Sequence, residues 1–143
     1  MRPLDPGTFL DEFVAQTPLP EGIRLVYEHP GPLAPISADP LALSRALTNL
    51  ISNACAAMDG HGTLRITATR CAIEVADSGP GIPPHMCKRI FDPFFTTKGE
   101  RGTGLGLAIV RDVMRRHGGS VMVQSEPGRG ASFTLRFRAA SRQ

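Results

Sequence analysis

The sequence predicts a two-layer α/β sandwich of the α+β type, with a mixed, mostly antiparallel sheet backed on one face by about three helices. A long amphipathic helix follows Asp39, two pairs of alternating segments meet at tight turns, and a second long helix opens at a run of glycines. Elements of these kinds bury their apolar faces against each other in two layers. The 143 residues predict one domain over 1–143, with its core at about 20–138.

The first helix is predicted over residues 8–16, where Phe9, Leu10, Phe13 and Val14 recur at helical spacing and Thr8 is a candidate N-cap. A β-rich strand is expected at 23–27, ended by the turn residues that follow His29. Residues 33–38 are expected to form a short extended segment.

The second helix begins after Asp39, a candidate N-cap, with Pro40 in its first turn. One apolar stripe faces the predicted core: Leu43, Leu47, Leu50, Ile51, Ala54 and Met58. Asn49 and Asn53 lie together, about 100° or more from the centre of this stripe on a helical wheel. The two amides are therefore expected to face away from the core, on a surface that another group can approach closely.

The remaining strands and helices are predicted from the same local signals. Residues 63–69 and 72–76 are predicted strands around a turn at Arg70-Cys71, and 83–101 reads as a short helix followed by a loop. A third helix, opened by residues 102–106, carries a face of Leu107, Val110, Val113 and Met114 and ends at Gly118-Gly119. Residues 120–125 and 131–138 are the last predicted strands.

Composition narrows the class of protein. A net charge of +3 with scattered basic residues gives no argument for nucleic acid. No apolar run reaches the roughly 18 to 20 residues needed to span a bilayer, and the N-terminus carries no signal region, so a cytoplasmic chain is expected, whose parent can still be membrane-anchored. Cys55, Cys71 and Cys87 show no CxxC spacing, which favours reduced thiols.

The run Asp77-Ser-Gly-Pro-Gly81 is the first candidate binding motif. A carboxylate at a strand end can accept a hydrogen bond from the exocyclic amine of adenine, and Gly79 and Gly81 leave room for a flat ring. The same residues also suit a plain surface turn, which is the simpler interpretation of this motif alone.

The run Gly102-Thr-Gly-Leu-Gly-Leu107 is the second candidate motif. Glycines ahead of a helix expose backbone N–H groups to phosphates, although the run alone could be a flexible linker. It is neither a P-loop nor a dinucleotide fingerprint.

Asn53 is the candidate metal ligand, since an amide oxygen suits a Mg²⁺ that keeps its waters and phosphate ligands. A helix asparagine bonded to backbone is the alternative.

Lys98 is a candidate to reach a γ-phosphate as a point charge, and Arg101 is a second candidate. For each residue taken alone, a solvated loop charge is the simpler interpretation. Phe91, Phe94 and Phe95 are expected to anchor this loop.

Taken in order, these motifs resemble the ATP-binding catalytic domain of sensor histidine kinases, of the class that includes gyrase, mismatch-repair ATPases and chaperone ATPases. Residues 49–54 resemble the N box, 77–82 the G1 box, 91–98 the F box and 102–107 the G2 box. The similarity covers about residues 36–138. It implies a mixed sheet backed by three helices, a mobile ATP lid at about 83–103, and ATP, ADP and Mg²⁺ as ligands.

The resemblance implies the following site. The catalytic positions are Asn49 and Lys98, and the metal ligand is Asn53. The nucleotide-binding positions are Asn53, Asp77, Gly79, Gly81, Ile82, Phe94, Thr97, Lys98, Arg101, Gly102, Thr103, Gly104, Leu105, Gly106 and Leu107.

Asn49 discriminates within this class. Hydrolytic relatives and anti-sigma serine kinases carry a glutamate base at that position, and an amide cannot abstract a proton. Ala56 replaces a basic residue that the family often has. Phosphate binding is therefore expected to depend more on Lys98 and Arg101. The resemblance therefore implies phosphoryl transfer to a histidine, in which metal, positive groups and geometry supply most of the catalysis.

None of the four histidines stands in the long helix where these kinases place the phosphoacceptor. The chain is thus read as the catalytic domain, with a dimerisation domain bearing the histidine and a response regulator as partners, and as a monomer when isolated. The alternatives are an anti-sigma-type serine kinase or protein-binding regulator, a gyrase-like clamp, and a module that binds no nucleotide. No nucleic acid or direct membrane contact is expected.

Overall fold

A computed structural model describes residues 1–29, 31–93 and 106–140. Its elements in chain order are β1 (Arg2–Leu4), α1 (Pro6–Gln16), β2 (Ile23–Glu28), β3 (Ile36–Ala38), α2 (Pro40–Ala57), β4 (Gly62–Thr69), β5 (Ala72–Asp77), a short 3₁₀ helix (Pro84–Met86), α3 (Gly106–Arg116), β6 (Ser120–Glu126) and β7 (Gly130–Arg136). None of the helices in these ranges is long and apolar enough to cross a membrane.

The main sheet has five strands in the order β2-β4-β5-β7-β6. Strands β2 and β4 are parallel, and the other three neighbouring pairs are antiparallel. The prediction of a mixed, mostly antiparallel sheet is confirmed. A second sheet of two strands pairs β1 with β3.

The core lies between one face of the main sheet and helices α2 and α3. On β4 the inward side chains Leu64, Ile66 and Ala68 are buried, while Arg65 between them and Thr69 after them are exposed. Every member of the predicted α2 stripe is buried. The period of two in the strands and of 3.6 in the helix therefore orient both layers as the sequence predicts.

Helices α2 and α3 run antiparallel and are joined at one end by a buried histidine. His117 is 4% exposed, and its Nε2 accepts a hydrogen bond from the backbone N–H of Asp39 at 3.0 Å. Because Nε2 accepts, Nδ1 carries the proton and donates to the carbonyl of Val113 at 2.8 Å. The start of α2 and the end of α3 are thereby held together.

Helix α1 lies against the edge strand β2. The Tyr27 hydroxyl donates a 2.6 Å hydrogen bond to the Asp11 carboxylate, and His29 Nε2 lies 3.3 Å from the same oxygen. The Tyr27 bond, ahead of the charge of His29, holds the pKa of Asp11 below its ordinary value. Burial and the neighbouring Asp11 raise the pKa of Tyr27.

The structure corrects the predicted start of α1 and the bounds of the last strand. Thr8 is not the N-cap: the Asp5 carboxylate accepts from the N–H groups of Gly7 and Thr8, at 2.9 and 3.3 Å, and Pro6 opens the helix. An aspartate followed by proline satisfies the free N–H groups one turn earlier. The last strand begins at Gly130 and ends at Arg136, and β1 was not predicted.

The core contribution of α2 can be measured with two leucines on the same helix. Leu47 is 0% exposed and Leu41 is 82% exposed. We expect Leu47→Ala to lower the free energy of unfolding by about 3 kcal/mol, because it leaves a cavity. Leu41→Ala should change it by less than about 0.5 kcal/mol. Equal losses in urea denaturation would contradict the assigned orientation of α2.

Candidate functional site

Asn49 and Asn53 project from α2 on a face different from its buried stripe, and both are half-buried. The Asn49 side-chain oxygen would lie 3.8 Å from a Cβ placed on Gly106, the first residue of α3. The structure therefore brings the predicted N box against the end of the predicted glycine run. Leu107 is half-buried and packs on the core.

Asp77 is the last residue of β5 and is only 9% exposed. Its Oδ1 accepts hydrogen bonds from the N–H of Gly79 at 2.9 Å and of Ala131 at 3.3 Å. Burying a carboxylate is costly unless it is hydrogen-bonded, and these two donors offset that cost and fix its orientation. The Gly79 bond is the one that turn chemistry alone would form, whereas the Ala131 bond ties the carboxylate to the β6–β7 hairpin.

The two glycines after Asp77 allow close backbone approach. A Cβ on Gly79 would lie 3.0 Å from Asp77 Oδ1 and 3.2 Å from the carbonyl oxygen of Ala57 in α2. Gly81 has a φ of +82°, and a Cβ there would lie 2.5 Å from the carbonyl oxygen of Glu126. This turn is thus packed between the C-terminal end of α2 and the β6–β7 hairpin.

The β6–β7 hairpin holds this turn from the other side. The N–H of Ile82 donates to Ser125 Oγ at 2.6 Å, and the N–H of Gly128 donates to the carbonyl of Pro80 at 2.7 Å. Gly130, with a φ of +96°, is so close that a Cβ would lie 2.0 Å from the Asp77 carbonyl oxygen. Sequence reasoning missed Ser125, because a serine at the end of a strand carries no signal of its own.

The segment after Ile82 returns to the core. Ile90 and Phe91 are buried, and the Phe91 ring packs edge-on against Phe133 at 6.1 Å. Asp92 lies 3.6 Å from Arg111 of α3. Phe91 thus anchors the described start of the predicted lid. The other predicted residues of this region lie outside the described residues: Phe94, Phe95, Thr97, Lys98, Arg101, Gly102, Thr103, Gly104 and Leu105.

The cysteines show no sign of reactive chemistry. All three are half-buried and unpaired with one another. Burial, followed by the charge of Asp77, raises the pKa of the Cys55 thiol, so this thiol stays protonated at neutral pH. Within 1–29, 31–93 and 106–140, no three His, Cys, Asp or Glu side chains group as a metal site.

The chain belongs to the family of histidine kinase-, DNA gyrase B- and HSP90-like ATPases, which it matches over residues 38–141. Among individual relatives, it is 41% identical over 128 residues to the sensor histidine kinase ZraS of Escherichia coli K12, which covers 87% of this chain and 27% of ZraS. It is 42% identical over 118 residues to the signal transduction histidine-protein kinase AtoS of the same strain, covering 79% of this chain and 19% of AtoS.

Solved structures agree with this assignment. Full-length ShkA, crystallised in complex with AMPPNP, matches 98% of this chain at 33% identity with a TM-score of 0.85, and the match covers 31% of ShkA. The nucleotide-free catalytic domain of the histidine kinase ThkA matches 96% of this chain at 28% identity with a TM-score of 0.78, and the match covers 94% of that domain. The family and fold expected from the sequence are confirmed. The chain spans about a quarter of the length of the curated relatives it matches.

Proposed function

We propose that this chain is the catalytic domain of a two-component sensor histidine kinase. It binds Mg·ATP and transfers the γ-phosphoryl group to a histidine on a dimerisation domain, from which a response regulator is then phosphorylated. The observation that carries this proposal is Asn49, whose amide faces the first turn of α3 where the resemblance places a glutamate base in hydrolytic and serine-directed relatives. The relatives named above are sensor histidine kinases, so the serine-kinase alternative is not favoured.

The adenine base belongs beside Asp77 in this proposal. The two backbone N–H donors both bond Oδ1, so the carboxylate is oriented before any ligand arrives. The exocyclic amine of adenine is a hydrogen-bond donor that suits such an acceptor. Gly79, Gly81 and Ile82 form the surrounding turn, whose shape depends on the close backbone contacts that Gly79 and Gly81 permit.

The phosphates and metal belong at the other end of the site. Asn53 lies on the same face of α2 as Asn49, and its amide oxygen fits a Mg²⁺ that takes its remaining ligands from phosphates and water. The metal would neutralise charge on the phosphates. Gly106 and Leu107 at the start of α3, with Gly102, Thr103, Gly104 and Leu105 before them, offer backbone N–H groups, and Thr97, Lys98 and Arg101 complete the phosphate contacts.

The transfer needs no base from this chain. A neutral imidazole already carries a lone pair, so one of its ring nitrogens bonds to the γ-phosphorus while the bond to the bridging oxygen breaks and ADP leaves. Asn49 supplies no proton acceptor for water, which keeps hydrolysis slow. Lys98 is the residue proposed to meet the charge that develops on the departing group.

Two of the four histidines of this chain are poor acceptors in the structure, which supports a separate acceptor domain. His117 is buried with both ring nitrogens bonded, and His29 faces Asp11. We therefore place the acceptor on a dimerisation domain, and we propose that the isolated chain is monomeric and acts in the cytoplasm.

Asp77 should set affinity for the adenine base. We expect Asp77→Asn to weaken ADP binding by about 2 kcal/mol, because the amide replaces a charged acceptor and can turn a donor towards the adenine amine. Titration calorimetry measures the difference. Asp112→Asn, on the exposed surface of α3, is the control and should bind as the wild type does. Unchanged affinity in Asp77→Asn would rule out the adenine assignment.

Asn53 should matter to the metal more than to the base. We expect Asn53→Ala to weaken ATP binding on the order of tenfold in the presence of Mg²⁺, as for loss of one ligand contact. ADP binding in EDTA should be nearly unchanged. A loss of the same size with and without Mg²⁺ would show that Asn53 supports the fold and not the metal.

The proposed reaction is tested with radiolabelled ATP and the chain alone, then with the dimerisation domain of its parent added. We expect negligible hydrolysis and labelling alone, and an acid-labile, alkali-stable phosphate on the added domain. The same acceptor with its histidine changed to glutamine is the control and should stay unlabelled. Strong label on the isolated chain, or acid-stable label on a serine, would overturn the proposal.

A further inference from the structure

A chain of hydrogen bonds connects the two ends of the Asp77–Ile82 turn through the hairpin behind it. The N–H of Ile82 donates to Ser125 Oγ at 2.6 Å. The same hydroxyl donates to the carbonyl of Gly130 at 3.0 Å. That carbonyl and the N–H of Ala131 belong to one planar peptide group, and the Ala131 N–H donates to Asp77 Oδ1 at 3.3 Å.

Ser125 holds the central place in this chain. A hydroxyl has one proton to donate and two lone pairs, so Ser125 can accept from Ile82 and donate to Gly130 at the same time. The other links on the hairpin side are backbone groups, which no substitution other than proline removes. Consecutive hydrogen bonds polarise one another and strengthen the chain. The Ser125 side chain therefore contributes to the orientation of the Gly130–Ala131 peptide, which together with the Gly79 N–H orients the Asp77 carboxylate.

We infer that Ser125 is a positioning residue for purine recognition, acting through the Gly130–Ala131 peptide on Asp77 and through the Ile82 N–H on the far end of the turn. It does not need to touch the nucleotide. This inference rests on the proposed role of Asp77 in reading adenine. Without the hydroxyl, the Asp77 carboxylate keeps its charge and its bond to the Gly79 N–H but is held less firmly by the Ala131 N–H. Discrimination between bases therefore falls more than affinity for the phosphates.

Inosine diphosphate (IDP) tests this effect, because it carries a 6-carbonyl and an N1–H where ADP has a 6-amine and an unprotonated N1. A site whose buried acceptor is fixed towards an amine rejects a base that presents a second acceptor there. The wild type should therefore prefer ADP over IDP. A residue that only stabilises the fold changes the folded fraction and leaves the ratio of the two affinities untouched.

The neighbouring strand supplies a matched control. The Ser132 hydroxyl is buried and has no hydrogen-bond partner in the described part of the chain. Ser132→Ala removes the same group from the same hairpin without breaking a link. It should retain the wild-type ratio.

The test is calorimetric titration of ADP and IDP into wild type, Ser125→Ala and Ser132→Ala, each confirmed folded at the assay temperature by its melting curve. We expect Ser125→Ala to lose on the order of tenfold of the ADP preference, the scale of one or two broken hydrogen bonds. An unchanged ratio, or equal losses for ADP and IDP, overturns the role of Ser125. A wild type without preference for ADP overturns instead the adenine assignment on which it rests.

If Ser125→Ala does not fold, Ser125→Cys takes its place, because a thiol keeps the size but is a weak donor and acceptor. Amide hydrogen exchange gives an independent reading. Exchange of the Ile82 N–H should accelerate in the Ser125 variant and stay at the wild-type rate in Ser132→Ala. Equal Ile82 exchange in all three proteins overturns the inference.

Discussion

Burial of one face of α2 against the sheet constrains the rest of the molecule. Because successive residues of a helix are turned by about 100°, fixing the apolar stripe at the core also fixes the direction of Asn49 and Asn53. The His117–Asp39 contact then holds α3 antiparallel to α2, so Gly106 at the start of α3 comes opposite Asn49. Two polar side chains are placed by the packing of other residues of the two helices.

The other half of the site is built by a different principle. Asp77 is placed by a strand, but its carboxylate is oriented by backbone N–H groups of its own turn and of a hairpin distant in sequence. Glycines at 79, 81 and 130 let these backbones approach to contact distance. Side-chain packing therefore positions the site residues on α2, whereas backbone contacts position Asp77. Substitutions are expected to disturb these two sides of the site in different ways.

The sequence predicts well what neighbours in the chain determine. The α2 stripe, the Asp39 cap and the hairpin turn at Arg70-Cys71 follow from local periodicity and turn chemistry, and the structure confirms them. Strand β1 was not predicted, because a segment of three residues forms a strand only by pairing with its partner β3. The contact made by Ser125 was not predicted for the same reason, since its partner Ile82 lies 43 positions away in the sequence. The start of α1 was wrong because Asp5 and Pro6 outcompete Thr8.

The parallel pairing of β2 with β4 has a consequence for how the chain reaches this structure. Hairpins β4–β5 and β6–β7 join strands that follow each other closely, so they can form early. Strand β2 must instead pair with β4 about 40 positions later, across β3 and α2, which carries a larger loop-closure entropy. Docking of β2 is therefore expected late in folding, and during synthesis on the ribosome the N-terminal segment waits for β4 to emerge.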